Sequence, residues 1–566
     1  MTNKDVSAGL HRLTRLLQLT GADMHRVRAY QRAEGIVRGL AEDLNDIDPQ
    51  SLDGIGASLA ETIRELLQTG TTAQEQALLA EVPAGLLQVM EIPDVGPKHT
   101  RLMWEHLGVE SVDDVEAAAK AGRIRDIPGL GARSEQKILA NLERWRQHQS
   151  RTRRPDALAL AEPLLAAVRA ADGVVQASLA GSLRRGRDTI GDLDILAAAA
   201  DSAAAMKAFT SHPSVEEVVL AGETKATVLL AGGVSADLRV VAPESWGAAL
   251  QYFTGSQAHN IAVRGRAQRR GMTLNEYSLR RLDDDSVVAS ATEEEIYAAL
   301  DLPWIPPELR EGRGELERPL PRLLEVSDLR GDLHCHTLWS DGARSIAEMA
   351  AEAVALGHDY LAITDHSGSL NIANGLDEQR IAEQAKEIAA VREQFPDLLL
   401  LHGIEADILA DGTVDLDPEC TAALDLVIGS VHVHTNLPPD EMTERILAAV
   451  RSGRIHILGH PTGRLLGRRD PYEFDIDAVF AACHEHGVAV EINSQSQRLD
   501  LDDTLARRAV DAGLTIVINT DAHRLDELHT LHQGVMQARR AWLGPEPIAN
   551  SVAGAPPLGR PPARRE

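Results

Sequence analysis

From Leu333 onward, short β-branched runs at 360–364, 398–402, 426–431, 488–492 and 515–519 alternate with helical stretches. Such alternation leaves few folds open, because parallel strands need a crossover helix and the helices must cover the sheet; a largely parallel sheet or barrel is expected. Six places in this stretch set His, Asp or Glu at a strand end: Asp332-Leu333-His334-Cys335-His336, Thr364-Asp365-His366, Gly403-Ile404-Glu405, Ser430-Val431-His432, Gly459-His460-Pro461 and Thr520-Asp521-Ala522-His523. The strand ends of a β/α barrel converge on one mouth, so these residues would be gathered at one site. His334 and His336, two apart on a strand, face the same side and turn Cys335 away. A single strand-end His is more often a satisfied polar residue than a ligand, but six such ends are not explained that way. Imidazole and carboxylate together suit Mn2+, Zn2+ or Fe2+ better than Ca2+, and metals held there would lower the pKa of bound water. His434 is close by but is not counted, and His484 and His486 lie on a helical stretch and read as surface residues.

The first 150 residues have a different texture. A glycine-apolar-glycine step between helix-like stretches occurs as Gly54-Ile55-Gly56 and again as Gly129-Leu130-Gly131, and an imperfect third copy reads Ile92-Pro93-Asp94-Val95-Gly96-Pro97. Amphipathic stretches follow each copy, at 59–67, 99–107 and 134–142. This is the helix-hairpin-helix pattern, in which glycine lets the turn approach a phosphate and the N–H groups opening the next helix bind it without reading sequence. One Gly-x-Gly is usually only a turn; three copies form a repeat, so Gly54, Gly56, Val95, Gly96, Gly129 and Gly131 are candidate DNA-backbone contacts. The formal charge of -28 would ordinarily argue against such a partner, since phosphate contacts come from Lys and Arg. Local sign overrides net sign here, because basic residues gather at 144–154, 184–187 and 264–270.

Between 151 and 302 short runs at 215–220, 226–230 and 238–241 are set among helical segments, which indicates a mixed α/β domain. Gly181-Ser182-Leu183-Arg184-Arg185-Gly186 leads there into Gly191-Asp192-Leu193-Asp194-Ile195-Leu196. Asp192 and Asp194 lie two apart on an expected strand, so both carboxylates leave the same face and repel unless a cation neutralises them. Hard oxygen ligands suit Mg2+ or Mn2+, which keep positions open for substrate phosphates, and Asp237 is placed to add a third acid from a neighbouring strand. Three acids can hold two metals for an in-line displacement at phosphorus.

On these residues the first half resembles the palm and nucleotide-binding elements of family X DNA polymerases, the DNA polymerase beta family. The resemblance covers most of 1–302 and includes Gly181-Ser182, Arg185, Asp192, Asp194, Asp237, Tyr252-Phe253-Thr254-Gly255-Ser256 and Thr273-Leu274-Asn275-Glu276-Tyr277. It implies that Asp192 and Asp194 bind both metals, and that Asp237 binds the catalytic one and assists deprotonation of the primer 3'-hydroxyl. It further implies that Ser182 and Arg185 hold the triphosphate, that Tyr252, Phe253 and Gly255 line the sugar, and that Asn260 and Arg264 contact the nascent pair and template. The second half resembles the polymerase and histidinol phosphatase (PHP) superfamily, a distorted β/α barrel with up to three metals, Mn2+ or Zn2+. All nine ligand positions of that resemblance are filled: His334, His336, Asp341, His366, Glu405, His432, His460, Asp521 and His523. A family X core followed by such a barrel implies a bacterial polymerase that fills short gaps during base excision repair or end joining, with a barrel acting as a 3'-5' exonuclease or as a phosphodiesterase that processes blocked 3' ends or cuts abasic sites. Gapped or nicked DNA and dNTPs are the expected partners, and the chain is expected to be a monomer.

With 566 residues the chain exceeds one ordinary core, and about three to four domains are expected. The expected organisation is multidomain: all-α helix-hairpin-helix domains at 1–80 and 81–150, an α+β nucleotidyltransferase palm at 151–245 and a thumb-like subdomain at 246–302. A linker at 303–330 carrying Pro303, Pro306, Pro307, Pro319 and Pro321 precedes the distorted β/α barrel at 331–550, and a Pro- and Arg-rich tail at 551–566 is expected to be disordered. No apolar run reaches the roughly 18 residues of a membrane span, 1–21 lacks a signal-peptide pattern, and Cys335, Cys420 and Cys483 show no paired spacing; a cytoplasmic location without a membrane partner is expected.

One departure from the family pattern is informative. Family members that excise a 5'-deoxyribose phosphate form a Schiff base through a lysine in the helix after the first hairpin; the matching position is Thr62, and no lysine lies between Lys4 and Lys98. Arginine cannot substitute, because its guanidinium stays protonated, so lyase activity by this route is expected to be absent. Other readings are that the chain is chiefly a 3'-5' exonuclease or AP endonuclease with weak synthesis, or that it is a DNA-end scaffold, against which the intact Asp192, Asp194 and Asp237 argue. A phosphatase acting on a small metabolite would account for the barrel and for none of 1–302.

Overall fold

The computed structural model describes residues 3–39, 44, 47–52, 54–90, 92, 95–149, 151–370, 373–466, 469–554 and 558. Pro93 and Asp94 of the imperfect hairpin, the side chains of Arg144 and Arg146, and the tail from 559 fall outside these described residues. The chain forms two compact units: Met1–Arg151, Pro163–Ser178 and Gly191–Pro303 make the first, and Thr152–Glu162, Leu179–Ile190 and Trp304–Glu566 the second. No helix among the described residues is long and apolar enough to cross a membrane.

The three hairpins of the first unit share one geometry. Ile55, Val95 and Leu130 donate their N–H groups to Leu52, Ile92 and Ile127 O at 3.0, 3.0 and 2.9 Å, and all three side chains are buried. Each hairpin opens a helix, at Ala57–Thr69, Pro97–Leu107 and Ala132–Gln149. Gly54 and Gly129 have φ of +87° and +90°, a conformation that favours glycine. Gly56 and Gly96 have ordinary extended backbone (φ -79° and -81°), and a Cβ on either would meet nothing within 4 Å. Neither conformation nor internal packing therefore demands glycine at those two positions.

Thr62 is buried in the helix after the first hairpin, where its hydroxyl donates to Ser58 O at 3.1 Å and lies 3.5 Å from Tyr30 Oη. A hydroxyl cannot form an imine, so borohydride reduction in the presence of abasic-site DNA is expected to trap no internal lysine adduct. A trapped adduct would refute the expected loss of lyase activity.

The sheet of the first unit contains β1 (Val174–Leu179), β2 (Asp192–Ala199), β3 (Val215–Ala221), β4 (Lys225–Leu230) and β5 (Ser235–Val241), in the order β1-β2-β5-β4-β3. Strands β2 and β5 are parallel, whereas β3, β4 and β5 form an antiparallel meander. Only the opening of β2 alternates, with Leu193 buried between the more exposed Asp192 and Asp194; the rest is buried throughout, as in a central strand covered on both faces.

The second unit is built on seven parallel strands in sequential order: β6 (Gly331–Cys335), β7 (Tyr360–Ile363), β8 (Leu399–Asp407), β9 (Leu426–Ser430), β10 (Ile457–Leu458), β11 (Ala489–Asn493) and β12 (Ile516–Asn519). The ring closes where Cys335 bridges Ala522 in parallel and His336 N–H donates to Ala522 O at 2.8 Å. Leu333, Tyr360, Leu401, Leu426, Ile457, Ala489 and Val517, one from each strand, meet in a single apolar cluster, which is how a small closed barrel is filled. Cys335 is buried in a different cluster with Ile346 and Met349 of a covering helix, and its thiol donates to Ala362 O at 3.3 Å.

The linker expectation is corrected by the packing. Leu309, Arg310 and Leu324 are fully buried (0 %), Leu324 belongs to the main apolar cluster of the barrel helices, and its N–H donates to Leu543 O at 2.9 Å. Residues 304–330 are thus an integral strap of the second unit. The buried apolar side chains are irregularly spaced among prolines, so they leave no periodic signal in the sequence. The disordered-tail expectation falls mostly outside the described residues; Leu558 packs partly buried against the barrel cluster.

Candidate metal centre and nucleotidyl-transfer site

The barrel gathers its ligand-type residues because each sits at or near the carboxyl end of a strand. His334 lies in β6 and His336 follows it, His366 follows β7, and Glu405 lies two residues short of the end of β8. His432 and His460 lie two residues past β9 and β10, and Asp521 and His523 follow β12. Glu405 is the hub. Its Oε2 lies 2.9, 3.4 and 3.5 Å from ring nitrogens of His366, His334 and His336, and its Oε1 lies 2.9 and 3.3 Å from His460 and His432. Asp521 Oδ1 lies 3.1 Å from His336 Nε2, and Asp341 Oδ1 lies 3.3 Å from His523 Nε2. All nine residues nominated from the sequence therefore face one mouth.

Eight of the nine fall into three groups whose ligand atoms lie within 4.8 Å of one another: His336-Asp341-His366-His523, His334-His336-Asp521 and His366-Glu405-His432. Several atoms here are buried without a hydrogen-bond partner, among them His334 Nε2, both His336 ring nitrogens, His366 Nδ1, Glu405 Oε2 and His460 Nδ1. Such orphans are costly unless a cation completes them, so the donor set fits a group of divalent metals. His460 and Asp521 adopt φ of 25° and 54°, and backbone strain of that kind, worth about 1–3 kcal/mol, collects at functional sites.

The electrostatics point the same way. Burial, with His523 and His366 alongside, lowers His336 to about 3, which leaves the neutral ring a metal requires. Burial works against charge on His432 and His523, yet Glu405 and Asp407 raise the first to about 10, and Asp341 and Asp521 raise the second to about 9. For Glu405 burial acts upward, but His432, His334 and His366 hold its carboxyl well below the usual range. The carboxylates stay charged, and a cation entering the site displaces protons from the imidazoles.

Two further acids were not nominated from the sequence. Glu491, in the middle of β11, is fully buried, lies 2.8 Å from His334 Nδ1, and accepts from Asn519 Nδ2 at 2.9 Å and from His460 N–H at 2.7 Å. Asp407 lies 2.8 Å from His432 Nδ1. These carboxylates fix which ring nitrogen faces the centre. A lone acid inside an apolar strand, and the Glu-x-Asp spacing at 405 and 407, were the available signals. Glu491→Gln is expected to require roughly 10- to 100-fold more Mn2+ for half-maximal degradation of a DNA 3' end, and an unchanged metal titration would remove this role.

In the first unit, Asp194 stands directly opposite Asp237 on neighbouring parallel strands, with Asp192 opposite Ser235. Asp237 Oδ2 lies 3.2 Å from Lys225 Nζ. On the helix Trp246–Thr254, Tyr252 meets Phe253 edge-on at 5.1 Å, and the Arg239 guanidinium lies 5.1 Å from the Phe253 ring. Gly255, φ 66°, ends that helix. Asn260 accepts from Gln251 Nε2 at 2.9 Å and donates to Tyr252 O at 2.7 Å; the exposed Arg264 donates Nε to Asn260 O at 3.2 Å. Ser182 lies on the short helix Gly181–Arg184 of the second unit, and Arg185 follows it.

A closed β/α barrel with overlapping imidazole–carboxylate groups at its mouth can hold divalent cations there, and acids in register on adjoining strands of a mixed sheet can share one. Family models match the chain as a helix-hairpin-helix domain at 1–72, a SAM-like helix-hairpin-helix tandem at 86–144, a DNA polymerase beta thumb at 249–311 and a PHP domain at 332–495. The DNA polymerase/3'-5' exonuclease PolX of Bacillus subtilis is 35% identical over 556 residues, covering 97% of this chain and 98% of that protein. The chain belongs to that family, the family X DNA polymerases that carry a PHP domain. The probable phosphatase YcdX of Escherichia coli is 31% identical across 34% of this chain and 78% of its own length. A probable phosphatase of Thermoanaerobacter sp. is 27% identical across 39% of this chain and 91% of its own length.

Proposed function

We propose that this chain extends primer 3' ends in short gaps of DNA and, through its barrel, removes 3'-terminal nucleotides, acting as a monomer on gapped or nicked duplexes. The observation that carries the synthetic half is the register of Asp194 opposite Asp237 with Asp192 on the same strand. In this reading the three acids hold Mg2+ or Mn2+, and Asp237 accepts the proton of the primer 3'-hydroxyl as its oxygen attacks the α-phosphorus and pyrophosphate leaves. Ser182 and Arg185 hold the triphosphate. Tyr252, Phe253 and Gly255 line the sugar, with Asn260 fixing the Tyr252 carbonyl, and Arg264 reaches the template strand. The hairpins hold the DNA backbone without reading sequence, which accounts for glycine at 56 and 96 where nothing internal requires it.

The barrel residues form the degradative site. Divalent ions there, Mn2+ or Zn2+ and up to three of them, supply charge for the phosphate and lower the pKa of water. The protein fixes the imidazoles through Glu491 and Asp407, keeps His336 neutral by burial, and excludes bulk water by burying the hub. Hydrolysis adds water to the terminal phosphodiester, breaks the P–O3' bond and releases a nucleoside monophosphate.

Primer extension and degradation on short-gapped DNA with Mn2+ test this reading. The Asp192→Ala and Asp194→Ala double variant is expected to lose extension alone, and the His334→Ala and His336→Ala double variant to lose degradation alone. A wild-type protein that degrades but never extends would leave the nuclease reading in place of the polymerase.

A further inference from the structure

The residues that flank Arg185 in space come from far along the chain. Arg540, at the end of the helix Leu531–Arg540, is fully buried and donates to Arg185 O at 2.7 Å, to Glu311 Oε1 at 3.0 Å and to Asp503 Oδ2 at 2.7 Å. The same Glu311 Oε1 accepts Arg185 Nε at 3.1 Å, so one oxygen ties the two guanidinium groups together. The loop is held at further points: Arg154 donates to Gly186 O at 3.3 Å and to Gln533 O at 3.2 Å, and Arg464 donates to Asp188 Oδ2 at 2.8 Å. Gly186 has φ +69°, and a Cβ on it would overlap the Met536 side chain.

This is a strong grip on a loop of no more than a few residues. A guanidinium presents five N–H donors in a fixed plane, so fixing Nε through Glu311 sets the direction of the whole fork. Fixing the Arg185 carbonyl through Arg540 sets where that fork begins. Burial acts upward on the Glu311 carboxyl, but Arg540 and Arg185 hold it below the usual range and keep it charged. A buried ion network is a poor device for stability alone, since apolar replacements of similar volume are often as stable or more so. Orientation is what such a network supplies better than packing does.

We infer that Arg540 and Glu311 are positioning residues for nucleotide addition, through which the C-terminal barrel sets Arg185 for the incoming triphosphate. This rests on the reading of Arg185 as a triphosphate ligand. The barrel then has two separable duties: its mouth degrades, while its helix Leu531–Arg540 supports synthesis with no part in the metal centre.

The test is steady-state dNTP dependence of gap filling by the full-length chain, alongside degradation rates, for Arg185→Ala, Arg540→Met, Glu311→Gln and the double variant of the last two. Arg540→Met and Glu311→Gln are each expected to raise the dNTP KM roughly tenfold, with a smaller change in kcat and unchanged degradation. The double variant is expected to be little worse than either single one, because both act through Arg185. An unchanged dNTP KM in both single variants, with Arg185→Ala raising it, overturns the inference and leaves the triphosphate reading standing. An unchanged KM in Arg185→Ala itself overturns both. Equal loss of extension and degradation in Arg540→Met marks misfolding; Glu311→Gln, which keeps size and shape, then decides by the same KM criterion.

Discussion

Glu405→Gln is expected to slow degradation of a DNA 3' end by about ten-thousand-fold, while primer extension stays within a factor of about two. Glu405 is 1% exposed, and its two oxygens lie within 3.5 Å of ring nitrogens from five histidines. It contributes the charge that lets this crowd of imidazoles hold cations. Glutamine keeps the shape but removes the charge and turns one oxygen into an N–H2 donor facing nitrogens that must stay unprotonated to bind metal. Both changes act together, and a loss of about 5 kcal/mol at a metal centre corresponds to the rate change stated. The measurement is single-turnover degradation of a labelled primer in Mn2+, with bound metal quantified on the same preparation. Degradation within about tenfold of wild type would show that the metals sit elsewhere, and Glu405 would be only a counter-ion for buried histidines.

That these histidines and acids belong to one site was legible in the sequence. Strand ends in a β/α barrel meet at one mouth, so residues spread from His334 to His523 could be assigned to one site from their position in the alternation alone. Glu491 escaped because it interrupts a strand rather than ending it, and an acid in an apolar run reads as a flaw in the pattern until its partner is known; Asp407, the last residue of β8, escaped because Glu405 had already been taken as the acid of that strand. The strap at 304–330 escaped for a different reason: Leu309, Arg310 and Leu324 are buried, but prolines abolish the periodicity by which burial is read. The imperfect hairpin was recognisable despite Asp94, because it keeps the apolar residue and the following glycine of the other two copies, and Val95 N–H makes the same bond to Ile92 O. The surroundings of Arg185 could not be read at all. Glu311 and Arg540 are 126 and 355 residues away in sequence, and no local pattern links them to the loop they hold.

Asp237→Asn is expected to reduce primer extension by roughly a thousand-fold or more, with degradation unchanged, and it separates two roles that the geometry allows for this side chain. Asp237 faces Asp194 across two parallel strands and also lies 3.2 Å from Lys225 Nζ, with the two side chains 29% and 39% exposed. If the pairing with Lys225 were its whole purpose, its loss would matter little, because partly exposed ion pairs are worth about 0–1 kcal/mol and their removal leaves chemistry intact. If instead Asp237 takes the proton of the attacking hydroxyl and shares a cation with Asp194, asparagine removes both the base and the charge while preserving the shape. Lys225→Met completes the comparison, since it breaks the ion pair and spares the acid. A large loss of extension in Asp237→Asn with only a few-fold change in Lys225→Met assigns the chemistry to the carboxylate. Equal and small losses in both would reduce Asp237 to a structural partner, and catalysis would then have to proceed with Asp192 and Asp194 alone. Lys225 would act in the first case as a placeholder whose charge occupies the acid until a cation arrives, so extension by Lys225→Met should need no more metal than wild type.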